Sequence, residues 1–358
     1  MKRRMNVWLF LIICNLTWVA RPFYAHADPF APYREGAKKE GSVTLGITLR
    51  DKVHGKPAGQ RYLEAFKKHY PFLKVTFKRI GGAPDRERII NEMSAGVFNY
   101  DVATVGAPMI PTIVNAGLPL AVDYKKLGVP DFLSHPDNLG VALRTPVFGI
   151  AYNRDRVPEQ EAKTFTWETC LDPKWKGKTS VNARPRHLNI MVLDEVWGRE
   201  KTLDYARRWA ANKPVVETSR STQAAKLMSG AYPLICGVPR DQVKDLQVYA
   251  GAKNIGIVFP EPVPVGSGEL IYVPQKARHP NAGILFLAWT ATQEAQNLLD
   301  DINFSGHPAF EGNEINTVLK GKKVAYTSFA DTVAEDDHLA EIVTAMGMPV
   351  VRTKKKKK

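Results

Sequence analysis

Residues 145–153 read TPVFGIAYN, and this stretch limits the possible folds more than any other. In an extended chain Val147, Gly149 and Ala151 face one side and Phe148, Ile150 and Tyr152 the other. Both faces are then apolar, as a strand covered on both sides requires. Strand–helix alternation flanks the stretch on either side. A second apolar strand, 269–273 (ELIYV), follows Pro262, Pro264 and the Gly266-Ser267-Gly268 run. We expect both to be crossovers: the chain leaves one lobe at the first and returns at the second, and the cleft between the lobes is the functional site.

The segments before the first crossover follow one pattern. A short helix over 33–40 precedes a strand at 42–48. Tyr62, Leu63, Phe66 and Tyr70 recur at helical spacing over 58–70, and Pro71 stops that run. Leu73, Val75 and Phe77 alternate with polar residues, which is a strand. Gly81 to Asp85 form a turn and helix start, Ile89, Ile90 and Met93 give the helix a buried side, and Gly96 ends it. A strand at 100–106 and a helix at 108–116 complete a βαβαβα series, which implies a parallel sheet covered by helices. Beyond the crossover the pattern predicts a strand at 179–182, helices at 188–197 and 203–210, a short helix at 223–229 and a buried strand at 234–238. A long helix spans 282–300, and the segment from 311 onward reads as helical and polar.

A chain of 358 residues is long enough for two full cores. Its formal net charge of +14 is less informative than it looks. The first 27 residues contribute four positive charges and residues 354–358 five more, leaving about +5 scattered over the body, without the clustered basic stripe of a nucleic-acid binder. The amino terminus reads as a cleavable secretory signal: a basic MKRRMN, an apolar 7–20, and Ala25-His26-Ala27 before Asp28. This predicts periplasmic export, with residues 1–27 removed and 351–358 a basic tail. Cys170 and Cys236 are the cysteines of the mature chain. In an oxidising compartment they are able to pair, while Cys236 also suits a buried thiol in an apolar strand.

Motifs for catalysis fail on spacing. Gly177-Lys178-Thr179 has Asp172 where a phosphate-binding loop needs glycine, and Gly266-Ser267-Gly268 has one residue between its glycines where a nucleophile elbow needs three. There is no H-E-x-x-H or C-x-x-C, and Asp336-Asp337-His338 reads as a solvated helix surface. An enzyme, a cofactor and a resident metal are therefore not expected.

Several short runs carry a resemblance: 40–48 (EGSVTLGIT), 65–75 (AFKKHYPFLKV), 101–104 (DVAT), 171–178 (LDPKWKGK), 226–230 (KLMSG) and 292–296 (TQEAQ). In order and spacing the chain, over about residues 33–300, resembles the extracellular solute-binding proteins of bacterial ABC importers, in the branch that includes the periplasmic ferric-ion-binding proteins. That resemblance implies an α/β fold of two lobes (type II-like periplasmic-binding-protein fold) joined by two crossover strands, closing on a ligand. It also implies a monomer that delivers its solute to a membrane permease and its ATPase. Where the ferric relatives carry a tyrosine pair this chain has Arg240 and Asp241, and where they often carry a histidine it has Arg50. Arginine stays protonated and cannot coordinate a cation.

Ligands of parallel α/β lobes bind outside the carboxyl ends of the strands. The candidate ligand-binding residues are therefore Thr48, Arg50, Gly82, Thr104 and Gly106 in the first lobe. In the second they are Asn182, Arg184, Ser219, Arg220, Ser221 and Arg240, with Tyr152 and Asn153 at the end of the first crossover. Guanidinium and hydroxyl groups suit a carboxylate, phosphonate or phosphate ester. The expected first lobe is 28–146 plus 269–350, and the second is 147–268. The reading favours capture of a small organic anion for an ABC importer. Ferric-iron transport and an exported ligand-sensing module for a membrane receptor are the alternatives.

Overall fold

The computed structural model describes residues 28–50, 52–53, 56–331 and 335–349. The expected signal peptide and the end of the chain, including the lysine tail, lie outside the described residues.

The first lobe is built on strands β1 (Ser42–Ile47), β2 (Lys74–Arg79), β3 (Val102–Gly106) and β4 (Val141–Arg144), together with the returning strand β11 (Glu269–Tyr272). Their order is β2-β1-β3-β11-β4. β1 runs parallel to β2 and β3, with Ser42 opposite Lys74 and Leu45 opposite Val102, whereas β11 is antiparallel to both neighbours. Val43, Leu45 and Ile47 are fully buried among α2 (Ala58–His69), α3 (Ala83–Ser94) and α9 (Pro280–Thr290). The long helix expected over 282–300 is two helices, α9 and α10 (Gln293–Asn303). The break is local: Thr292 caps α10, its Oγ1 accepting from the Ala295 N–H at 3.3 Å.

The second lobe holds β5 (Phe148–Asn153), β6 (Thr179–Asn182), β7 (Val215–Glu217), β8 (Leu234–Pro239) and β9 (Ile255–Val258), in the order β9-β5-β8-β6-β7. All six residues of β5 are buried, as its two apolar faces demand. Helices α5 (Arg186–Met191), α6 (Gly198–Ala211), α7 (Arg220–Met228) and α8 (Arg240–Val248) cover the sheet. The helix expected over 188–197 is thus shorter and starts earlier. Cys170 and Cys236 are joined in a buried disulfide.

The two apolar strands do not themselves cross between lobes: β5 lies wholly in the second sheet and β11 wholly in the first. The crossing segments are the residues just outside them, 145–147 and 266–268. These run side by side, with Val147 bridged to Val265 and the Gly266 N–H donating to the Pro146 carbonyl at 2.9 Å. Gly268 is required here, because a Cβ would lie 1.3 Å from the Arg144 carbonyl oxygen.

The chain then passes between lobes once more. β12 (Val324–Tyr326) pairs with β10 (Val263–Val265) beside the crossing, after α11 (Glu314–Leu319). α12 (Glu335–Ala345) buries Leu339, Ile342 and Val343 in the second-lobe core against α5 and α6. Assignment of 269–350 wholly to the first lobe is therefore corrected for this helix. The reason is its apolar face, which the composition of a mostly polar segment concealed.

Candidate functional site

The carboxyl ends of β1, β3 and β4 point into the gap between lobes, as do those of β6 and β8. Arg144, at the end of β4, is the centre of what they bring together. Its Nη2 donates to Asp241 Oδ2 of the second lobe at 2.5 Å, and its Nη1 lies 3.5 Å from Glu269 Oε1 at the start of β11. Arg86, on α3, is ion-paired with Glu269 from the other side and reaches Thr48 Oγ1 at 3.4 Å. The result is a line of alternating charge, Arg86–Glu269–Arg144–Asp241, that crosses from one lobe to the other.

Helix α8 forms the wall on which the lobes meet. It starts where β8 ends, and the Arg240 N–H donates to the Val147 carbonyl at 2.8 Å, which ties its first turn to the crossing segment. Asp241, Asp245 and Tyr249 follow at intervals of four, so they share a face. That face meets the first lobe: Asp245 Oδ1 lies 2.5 Å from Arg50 Nη2, and Val248 packs on the first-lobe core. Arg50 also sits over the Tyr249 ring at 5.0 Å and the Phe304 ring at 5.7 Å.

Burial alone would lower the Arg144 guanidinium, but Glu269, Asp241 and Asp245 outweigh it and hold its pKa above the ordinary value. For Asp245 the balance goes the other way. Burial pushes its carboxyl up to about 6, with Asp241 adding to the rise, and Arg50 and Arg144 recover only part of it. Arg220 is exposed as a residue, yet protein crowding lowers its guanidinium, Asp241 opposes this, and Arg186 and Arg144 add to it. Among the described residues no carboxylate comes within ion-pair distance of Arg220. Among the described residues, the cleft therefore holds guanidinium–carboxylate pairs of unequal compensation, with Arg220 outside ion-pair distance of any carboxylate.

Of the residues expected to bind ligand, Thr48, Arg50, Gly106 and Arg220 belong to this array. Gly106 lies against Arg86, since a Cβ there would be 3.1 Å from its Nη1. Ser219 and Ser221 stand at the same helix start, but the Ser219 hydroxyl caps α7 by accepting from the Thr222 N–H at 3.2 Å. Gly82 stands at the start of α3 without a side-chain cap, its carbonyl accepting from the Arg86 N–H at 3.4 Å. Asn182 ends β6 and accepts from the Arg184 N–H at 3.0 Å, which turns the chain toward Arg186.

Four expectations are corrected. Thr104 is 2% exposed and its hydroxyl donates to the Leu270 carbonyl inside the sheet. Tyr152 and Asn153 end β5, but β5 is antiparallel to β8, so its carboxyl end points away from the cleft, next to Leu234 at the start of β8. Asn153 is spent there, its Nδ2 donating to the Leu227 carbonyl at 2.8 Å and so closing α7. Arg240 is 2% exposed and bound to Asp300 and Glu314. The residues missed are Arg86, Arg144, Asp241, Asp245 and Glu269. Asp241 and Asp245 carried a readable signal, acids at four-residue spacing just after a buried strand. Arg144 and Arg86 carried none.

A profile of the family described as bacterial extracellular solute-binding protein matches residues 61–311. The chain belongs to this family. Two curated relatives from Synechocystis sp. are similar: iron uptake protein A1, 23% identical over 216 residues, and iron uptake protein A2, 27% identical over 244 residues. The matches cover 55% and 60% of this binding protein and 58% and 66% of the relatives' own lengths. Among solved structures, the Trichodesmium IdiA (FutA) complex with iron and citrate superposes with a TM-score of 0.68 at 21% identity, covering 86% of this chain and 100% of that one. The open Mannheimia haemolytica ferric iron-binding protein A gives 0.66 at 18% identity, covering 86% and 98%. At these identities the likeness establishes the fold, which is the two-lobed binding-protein architecture expected above.

Proposed function

We propose that this solute-binding protein serves an ABC importer in iron uptake and captures ferric iron together with an accompanying carboxylate anion between its lobes. The ligand preference expected above, an organic anion alone, thereby gives way to the alternative that the relatives favour. What carries the reading is the alternating array of guanidinium and carboxylate groups contributed by both lobes. A bare cation has no use for Arg144 and Arg220, and a bare anion none for Asp241 and Asp245. A complex carrying both signs uses both. The two Synechocystis relatives are iron uptake proteins, and the Trichodesmium structure is a complex with iron and citrate.

Closure follows from differential affinity: a ligand touching both walls favours the closed form by the contacts it lacks in the open one. A dissociation constant near ~1 μM corresponds to about 8 kcal/mol, and turning a mostly open population into a mostly closed one uses about 5.5 of it. The closed protein would then dock the permease at the membrane. Titration of the metal-free protein with ferric citrate should give saturable binding with a new visible absorption band. Absence of any retained iron after desalting would sink the reading.

A second reading, a metal-free organic anion, is supported by two features. By the sequence resemblance Arg240 and Asp241 fall where ferric relatives carry a tyrosine pair, and the described residues include no group of three His, Cys, Asp or Glu side chains placed to hold a metal. A thermal-shift screen of carboxylates, phosphonates and phosphate esters without iron separates the two, since a ligand at 100 times its dissociation constant adds about 2.7 kcal/mol.

A further inference from the structure

Resting on the reading of an iron–anion complex, we propose that Asp245 is a specificity-determining residue. Its carboxylate is paired with Arg50 across the cleft, and so disfavours a metal-free anion at that guanidinium while admitting one that carries a cation.

Arg50 is held by two aromatic rings, by its backbone and by Asp245. Its guanidinium lies against two aromatic rings, at 5.0 Å and 5.7 Å, and its backbone N–H donates to Asn303 Oδ1 at 3.2 Å. Rings of this kind fix a guanidinium without using its N–H groups. Asp245 supplies one close approach, at 2.5 Å from Nη2, but its Oδ1 makes no hydrogen bond of good geometry, and the buried Arg50 Nε has no hydrogen-bond partner. The pair is therefore close but incompletely bonded, unlike Arg144 and Asp241, which share a hydrogen bond.

The groups facing Asp245 are Arg50 and Arg144 from the first lobe and Asp241 and Tyr249 from its own helix. A bare anion arriving at Arg50 meets this carboxylate at the same guanidinium, and two like charges side by side in a partly dry cleft repel. A complex with a metal offers the carboxylate a positive neighbour. The elevated carboxyl pKa fits this geometry, because it marks a charge that its present partners do not fully compensate. Discrimination by an unfavourable contact with the wrong ligand is a general route to specificity.

The test is calorimetric titration of the wild type, Asp245→Asn and Asp245→Glu with two probes, citrate alone and ferric citrate, at pH 7.5. Removing the charge should tighten citrate alone by about tenfold and weaken ferric citrate, and Asp245→Glu should restore the wild-type ratio. Citrate binding that does not tighten in Asp245→Asn, or an equal gain for both probes, overturns the proposal. If the wild type binds neither probe, the iron–anion reading fails by itself. A gain of citrate binding in Asp245→Asn would still support the selector, and no gain would end it. Asp245→Ser replaces the asparagine variant should that one not fold.

Discussion

Of the ion pairs that join the lobes through α8, two with the same residue types are built differently. Arg240 and Asp300 are each 3% exposed at the side chain, and the carboxylate takes the guanidinium at 2.6 Å and 3.4 Å. Asp300 Oδ2 also accepts the backbone N–H groups of Glu314 and Ile315 at 3.0 Å and 3.4 Å, so every oxygen is engaged. Arg50 and Asp245 are 23% and 34% exposed and meet through one short approach. The residue types are the same and the positions on α8 differ by little more than one turn. Depth separates them: the saturated pair beside the crossing segments is a fixed pivot, and the under-bonded pair further out is available for exchange with a ligand.

The strongest way to break this comparison is at the pivot. Arg240→Met leaves Asp300 buried and unpaired, and should cost about 3–5 kcal/mol of stability in urea denaturation. A loss below about 1 kcal/mol would mean that the pivot pair is no more structural than the outer one.

A smaller effect is expected at the far end of the second lobe. Asn153→Ala removes a buried hydrogen bond to the Leu227 carbonyl and should cost about 1–3 kcal/mol. Its affinity for ferric citrate should stay at the wild-type level, because Asn153 faces away from the cleft. A tenfold loss of affinity at unchanged stability would return it to the site.

The least perturbing probe is pH. The Asp245 carboxyl is raised from 3.8 to about 6 in the folded protein, so the folded state holds a proton that the unfolded chain has released. Its contribution to stability is then greatest below pH 4 and is lost as pH rises toward and through 6. Comparing Asp245→Asn with the wild type in urea melts from pH 4 to 7 should show that increment missing from the variant. The opposite sign belongs to His187, fully buried against Trp167 and Trp209 and lowered by burial to about 3. Its contribution is present above pH 6.5 and fades as pH falls toward 3. Matching pH profiles for the wild type and His187→Gln would refute that assignment.

Much of the fold was legible because it rests on local periodicity. Alternation in 73–77, the helical spacing of Tyr62, Leu63 and Phe66, and the doubly apolar 148–153 each read correctly. The site was legible only in part. Thr48, Arg50 and Arg220 follow from the rule that parallel strands present their carboxyl ends to the ligand. Tyr152 and Asn153 were expected there as the end of the first crossover, but that strand runs opposite to β8 and carries them away from the cleft. Nothing local distinguishes Arg144 from any other arginine at the end of a strand.

The sequence by itself determined the alternating α/β elements and, through its resemblance, the two-lobed architecture and the family, because each is written in runs of adjacent residues. The crossing segments at 145–147 and 266–268 were set by the structure. Only the tertiary structure decided which charges meet. Arg144 is 97 residues from Asp241 and Arg240 is 60 from Asp300. An ion pair is set by distance in space and by how much water is excluded around it, and neither quantity is a property of a short stretch of chain.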